Sequence, residues 1–121
     1  MKKIILAAAV VMLSTPALAA GLMCKSDRQV MCNQNNCRSF PPATWRVIDI
    51  TNLQIHRCDK KGCDAHKIKN VTKSVDAGNM YMNLIFGGGA ILRLGLNSHK
   101  FVETATHGLH AYISHGVCRE N

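Results

Sequence analysis

The sequence predicts an all-β domain: a small antiparallel meander closed as a barrel or folded as a sandwich, stapled by disulfides and carried behind an N-terminal signal peptide. Three observations predict it. Six cysteines follow an apolar leader in a chain of 121 residues. Beyond the leader, apolar and polar residues alternate with period two in short runs broken by Gly, Asn and Asp, the pattern of half-buried strands joined by tight turns. No stretch there keeps a 3.6-residue apolar period over the length of a helix.

The leader reads as an export signal. Lys2 and Lys3 supply a positive start, residues 4–13 an apolar run, and Ala17-Leu18-Ala19 a small-x-small cleavage site. The run is too short to span a bilayer, which takes roughly 20 residues. Residues 1–19 are therefore assigned to a signal peptide, cleaved after Ala19 or Ala20. Residues 20–121 form one domain with no transmembrane segment, periplasmic or secreted from a bacterium. A chain of this size buries about two-thirds of its unfolded surface, so covalent staples matter in the oxidising compartment that export implies.

Cys32 and Cys37 bracket Asn33-Gln34-Asn35-Asn36, and Cys58 and Cys63 bracket Asp59-Lys60-Lys61-Gly62. Both inserts are turn formers, so each pair is expected to clip its own hairpin, leaving Cys24 to join Cys118. By loop-closure entropy the short loops contribute roughly 2 kcal/mol each and the long one about 4.5 kcal/mol. The rival arrangement, a zinc site from Cys32, Cys37, Cys58 and Cys63, needs thiolates that export removes by oxidation.

Pro41-Pro42 blocks any ladder and separates the first cysteine loop from a strand over residues 45–51, apolar in part on both faces. A second strand is expected over 53–58. Residues 63–69 and 70–75 read as two polar, basic edge strands, which discourage edge-to-edge aggregation. Residues 79–86 give the clearest strand, with Met80, Met82, Leu84 and Phe86 on one face. Gly87-Gly88-Gly89 turns the chain into residues 90–96, Asn97-Ser98-His99 into 101–106, and His107-Gly108 into 109–117.

A two-residue loop at His107-Gly108 sets Thr106 opposite Leu109. Val102 then pairs with Ile113 and Thr104 with Ala111 on one face; Glu103 pairs with Tyr112 and Ala105 with His110 on the other. The outer face is expected to carry Glu103, His110 and Tyr112 with His107 at the tip. His107, His110 and Glu103 are candidate ligands for Zn²⁺ or Cu²⁺, against the plainer reading of an unoccupied ribbon. His115 falls between Ile113 and Val117 on the apolar face, as a buried neutral imidazole or, less simply, an interior ligand. Met80 and Met82 read as core filler rather than a Cu(I) site.

Fifteen basic residues face seven acidic ones, a formal charge of +8. Lys2 and Lys3 belong to the leader, so thirteen remain against seven, an excess of six. Such a field attracts anionic envelope components or proteins, with Lys60, Lys61, Lys67 and Lys69, in the denser stretch from Arg57 to Lys73, and Tyr112 as candidate contacts. The plainer reading is a solvated surface. Nucleic acid is not an expected partner of an exported chain.

Catalytic signatures are missing. No Gly-Lys-Ser/Thr follows the glycine run, Ser114-His115 has no strand-turn-helix frame, and no two carboxylates form an acid/base pair. No cofactor is expected. Size, leader and terminal cysteine placement are similar to those of small exported bacterial barrels that inhibit lysozyme, but their Ser-Gly-x-x-Tyr segment is absent and basic lysozymes would repel this chain. That likeness is one of architecture and implies no function. The expected function is a non-enzymatic binding or structural domain contacting an anionic envelope or protein partner; the alternative is a periplasmic zinc or copper binder.

Overall fold

The computed structural model describes residues 21–120; the leader expected over residues 1–19, its cleavage site and Asn121 lie outside them. Among the described residues the chain forms nine strands: β1 (Leu22–Cys32), β2 (Cys37–Phe40), β3 (Trp45–Asp49), β4 (Gln54–Asp59), β5 (Gly62–Asp76), β6 (Asn79–Phe86), β7 (Ala90–Gly95), β8 (Lys100–His107) and β9 (His110–Glu120). From β3 to β9 each strand pairs antiparallel with the next, and β9 returns to β1 from Leu22↔Glu120 to Cys32↔Ala111. The circuit β1-β3-β4-β5-β6-β7-β8-β9 thus closes as an eight-stranded barrel. Closure removes the open edges that a short sheet would otherwise expose.

β1 carries two partners on its other edge. Leu22 to Lys25 pair with β3, and Gln29 to Cys32 pair with β2, which flanks the circuit. Asp27 is an extra residue between Ser26↔Gly116 and Arg28↔His115. This bulge resets the alternation, so that buried Ser26 is followed by buried Gln29 while Asp27 and Arg28 stay exposed. The meander gathers the tips of the β1–β2, β4–β5, β6–β7 and β8–β9 hairpins at one end, the mouth. The β3–β4, β5–β6 and β7–β8 turns and residues 21 and 120 lie at the other.

The disulfides follow the expected pairing, each between residues directly opposite in the ladder. Cys24–Cys118 joins the first and last strands at a separation of 94 residues, and Cys32–Cys37 and Cys58–Cys63 staple hairpin tips at the mouth. The tips are preformed by their own side chains: Asn33 Oδ1 accepts from the Asn35 and Asn36 amides at 2.8 and 3.0 Å, and Asp59 Oδ1 from the Lys61 amide at 2.8 Å. These are the local Asx contacts that make Asn and Asp turn formers.

The far two-thirds of the interior is apolar. Alternate residues of each strand meet there: Leu22 and Cys24, Ile48, Ile55, Ile68, Met82, Leu84 and Phe86, Leu92 and Leu94, Phe101, and Cys118. The phase expected for β6 holds, except that Met80 is 44% exposed because the β5–β6 hairpin overhangs the barrel end beside Val75.

Three expectations are corrected. Residues 63–69 and 70–75 are not two edge strands but one strand, β5, whose alternation is reset by a register shift between Ile68 and Asn70; its first half pairs with β4 and its second with β6. The loop of the last hairpin is Gly108-Leu109, with His107 opposite His110. Gly108 takes φ +60 at the first central position, a backbone state that glycine enters at no steric cost. Finally, the faces of this hairpin are exchanged. Glu103 and Ser114 are buried and Tyr112 half-buried, whereas His115 and Val117 are exposed. Cys118 must face inward to reach Cys24, and a period of two then turns Gly116, Ser114 and Tyr112 inward and His115 outward. Gly116 adds a second constraint. A Cβ there would overlap the Lys25 carbonyl and sit 2.6 Å from Phe101 Cε1.

Candidate functional site

A charged layer lies on top of the apolar core, at the mouth. β3 alternates inward as Arg46 and Ile48, β4 as Ile55 and Arg57, and β8 as Phe101, Glu103 and Ala105. Each strand's apolar phase therefore continues into a charged residue near the mouth. The Glu103 carboxylate, 4% exposed, accepts from Arg46 Nε at 2.5 Å through Oε1 and from Arg57 Nη2 through Oε2. Arg46, 2% exposed, donates through Nη1 to Ser26 Oγ at 2.7 Å. The two guanidiniums rest over the rings of Phe101 and Phe86, at 5.2 and 5.8 Å from the centroids, a contact that favours cations over aromatic faces.

A neutral polar group completes the layer. Gln29 Nε2 donates to Thr44 Oγ1 at 3.0 Å and to Ser114 Oγ at 3.1 Å, and Gln29 Oε1 accepts from the Ala43 amide at 3.3 Å. Above lies a chamber of about 430 Å³, floored by Arg46, Arg57, Glu103, Gln29 and Ser114, walled by Phe40, Pro41, Tyr112 and His107, with Asp59 at the rim. His107 and Tyr112 meet edge to face at 5.1 Å.

Electrostatics make this layer costly. Two guanidiniums face one carboxylate, and removing charges from water costs several kcal/mol per ion unless geometry compensates. Arg46 and Glu103 are compensated by short charge-assisted bonds. Arg57 is compensated in part: it is 29% exposed, and its Nε is buried without an acceptor among the described residues. The floor therefore carries a fixed, partly exposed cation whose one unused donor is itself closed off from solvent. That arrangement suits recognition of an acceptor oxygen. Ser114 faces the chamber and His115 the outside, so this adjacent pair cannot act on one substrate.

The proposed metal triad does not converge. His107 and His110 are opposite one another at the exposed hairpin tip, while Glu103 lies four residues down β8 and holds two arginines. Among the described residues no group of three or more His, Cys, Asp or Glu is placed to hold a metal ion. Met82 is buried in the core, and His115, expected inside, faces out.

Of the candidate contacts for an anionic partner, Tyr112 lines the chamber. Lys60 and Lys61 form the exposed two-residue tip of the β4–β5 hairpin at the mouth, and Lys67 and Lys69 are exposed further along β5. Arg46, Arg57, Gln29 and Ser114 were not anticipated. Arg46 stands among Trp45, Val47 and Ile48, where one inward charge is hidden in a run apolar on both faces.

No family model matches the chain, and neither does any curated protein or solved structure.

Proposed function

We propose that the chain is an exported, non-enzymatic binding domain whose mouth receives an anionic group from an envelope component or a protein partner. The observation that carries this reading is Arg57. It is tied to Glu103 through one nitrogen, lies over an aromatic ring, lines the floor of an open chamber, and keeps a buried Nε unpaired. A carboxylate or phosphate oxygen that reaches Nε as the part-exposed Arg57 side chain shifts satisfies the buried donor and adds a charge-assisted bond. Disulfides across two of the mouth hairpins hold the rim in place before binding, which lowers the ordering cost of association.

Binding of the oxidised protein to isolated envelope fractions, titrated with salt, tests the reading. Retention at low salt that falls as salt rises, and weakens by about ten-fold or more in Arg57→Gln, is expected. Salt-insensitive retention, none at low salt, or retention unmoved by Arg57→Gln contradicts it.

A further inference from the structure

The positive excess is unevenly distributed around the barrel. On the β4–β5 side, Lys60, Lys61, Lys67, Lys69 and Lys73 are interleaved with Asp59, Asp64 and Asp76, all exposed. The outer face of β7, β8, β9 and β1 instead carries Lys25, Arg28, Arg93, Lys100 and Arg119, all exposed, with Asp27 as its one carboxylate among the described residues. Glu103 faces inward, and Glu120 borders the cavity at the far end with Leu22 and Leu96. The stretch densest in lysine along the chain is therefore not the most positive surface of the fold.

The same face is also apolar in a regular way. On each of its four strands an outward apolar residue sits two positions from a basic one: Met23 with Lys25, Ile91 with Arg93, Val102 with Lys100, and Val117 with Arg119. Met23, Ile91 and Val117 are 40%, 41% and 39% exposed. Register places Val117 between Lys25 and Lys100, and Met23 opposite Arg119. Lys25, Asp27, Arg119, Met23 and Val117 border one depression of about 410 Å³. Arg93 is held in place by Asn83 Oδ1 at 2.7 Å and by the Tyr81 ring at 5.6 Å.

We propose that this face docks the barrel sideways on an anionic phospholipid surface, independently of the mouth. Purely electrostatic contact with an acidic protein gives no use to exposed Met23, Ile91 and Val117. A headgroup layer offers phosphates for the basic residues and an apolar boundary immediately beneath for their neighbours. Being fluid, it also conforms to a convex barrel wall. Like charge across the face opposes pairing with a second copy.

Co-sedimentation of the oxidised protein with vesicles of phosphatidylcholine, alone or containing phosphatidylglycerol, tests the proposal. Pelleting is expected with the anionic vesicles at low salt only. Each basic residue near the surface contributes about five-fold, so Lys25→Ser/Lys100→Ser/Arg119→Ser weakens binding by about a hundred-fold. Lys67→Ser/Lys69→Ser/Lys73→Ser, with the same loss of charge, weakens it by less than about ten-fold, because β5 lies across the barrel from β8 and β9 and those charges act on the surface only at a distance. Met23→Ser/Val117→Ser weakens pelleting at constant charge. All these positions are exposed, and intact mass verifies that the three disulfides form. No pelleting at low salt, or equal loss from the two triple variants, overturns the proposal. Pelleting unmoved by Met23→Ser/Val117→Ser also overturns it, because the apolar half of the face then takes no part in binding. Arg57 is outside this face, so failure here leaves the mouth reading intact, and failure at the mouth leaves this one.

Discussion

Glu103 accepts from two guanidiniums within a barrel that has little apolar volume to spare, and its removal should be felt more than that of either partner. Glu103→Gln strands Arg46 in the interior without its counter-charge and is expected to cost about 3–5 kcal/mol in urea unfolding of the oxidised protein. Arg57→Gln keeps the Arg46–Glu103 pair and should cost well under half of that. The contrast separates a residue required by the fold from one retained for contact with a partner. Near-equal costs would show that Arg57 is as structural as Glu103. At the far end, Ala77 and Gly78 take φ of 52 and 80 in the two-residue β5–β6 turn. An L-alanine is strained there and Asn is not. Ala77→Asn is therefore expected to stabilise by about 0.5–1 kcal/mol, read as a raised urea midpoint at unchanged slope.

Strand phase is set at this scale by a few constrained residues, and the last hairpin shows which. Val102, Ile113 and Val117 look like a core face, and hydrophobicity alone assigns them to the interior. Cys118 overrules them, because its disulfide puts it on the face of Cys24, which is buried beside Leu22, and β9 alternates from that point. The Cys24–Cys118 bond thus carries the phase of β9 once Cys24 is placed inside with Leu22. β5 was less legible. The register shift after Ile68 interrupts its alternation, so one long strand reads as two. At Gly116 the β1 backbone approaches so closely that a methyl group collides with the Lys25 carbonyl. Gly116→Ala should accordingly push β1 from β9 and lower stability by about 3 kcal/mol or more, with amide exchange accelerating first along β1 and β9. Uniform exchange across all strands contradicts that local origin.

For the molecule as a whole, closure joins the first and last strands through a ladder from Leu22↔Glu120 to Cys32↔Ala111 and one covalent bond within it. By loop-closure entropy the Cys24–Cys118 bond, spanning 94 residues, contributes about 4.5 kcal/mol and each hairpin staple roughly 2 kcal/mol. Cys24→Ser/Cys118→Ser is expected to lower the urea midpoint more than Cys32→Ser/Cys37→Ser or Cys58→Ser/Cys63→Ser does. The β class, most turns and the sulfur pairing were legible because each leaves a local mark: alternation, Gly and Asn, and paired cysteines around turn formers. β1 and β2 were not, since their residues do not alternate cleanly and β1 is interrupted by the bulge at Asp27. The chamber was not, since Arg46, Arg57, Glu103 and Gln29 lie far apart in sequence and meet only when the sheet closes. Nor was the basic face, whose members are spread over four strands.

The Arg57 Nε–H is the donor proposed to meet the partner. Side-chain NMR of ¹⁵N-arginine-labelled protein, recorded as envelope extract is added at low salt, observes that proton directly. A downfield shift and slowed solvent exchange of the Arg57 Nε–H, reversed by salt, is the predicted result. Binding of the extract with the Arg57 resonance unmoved would contradict it.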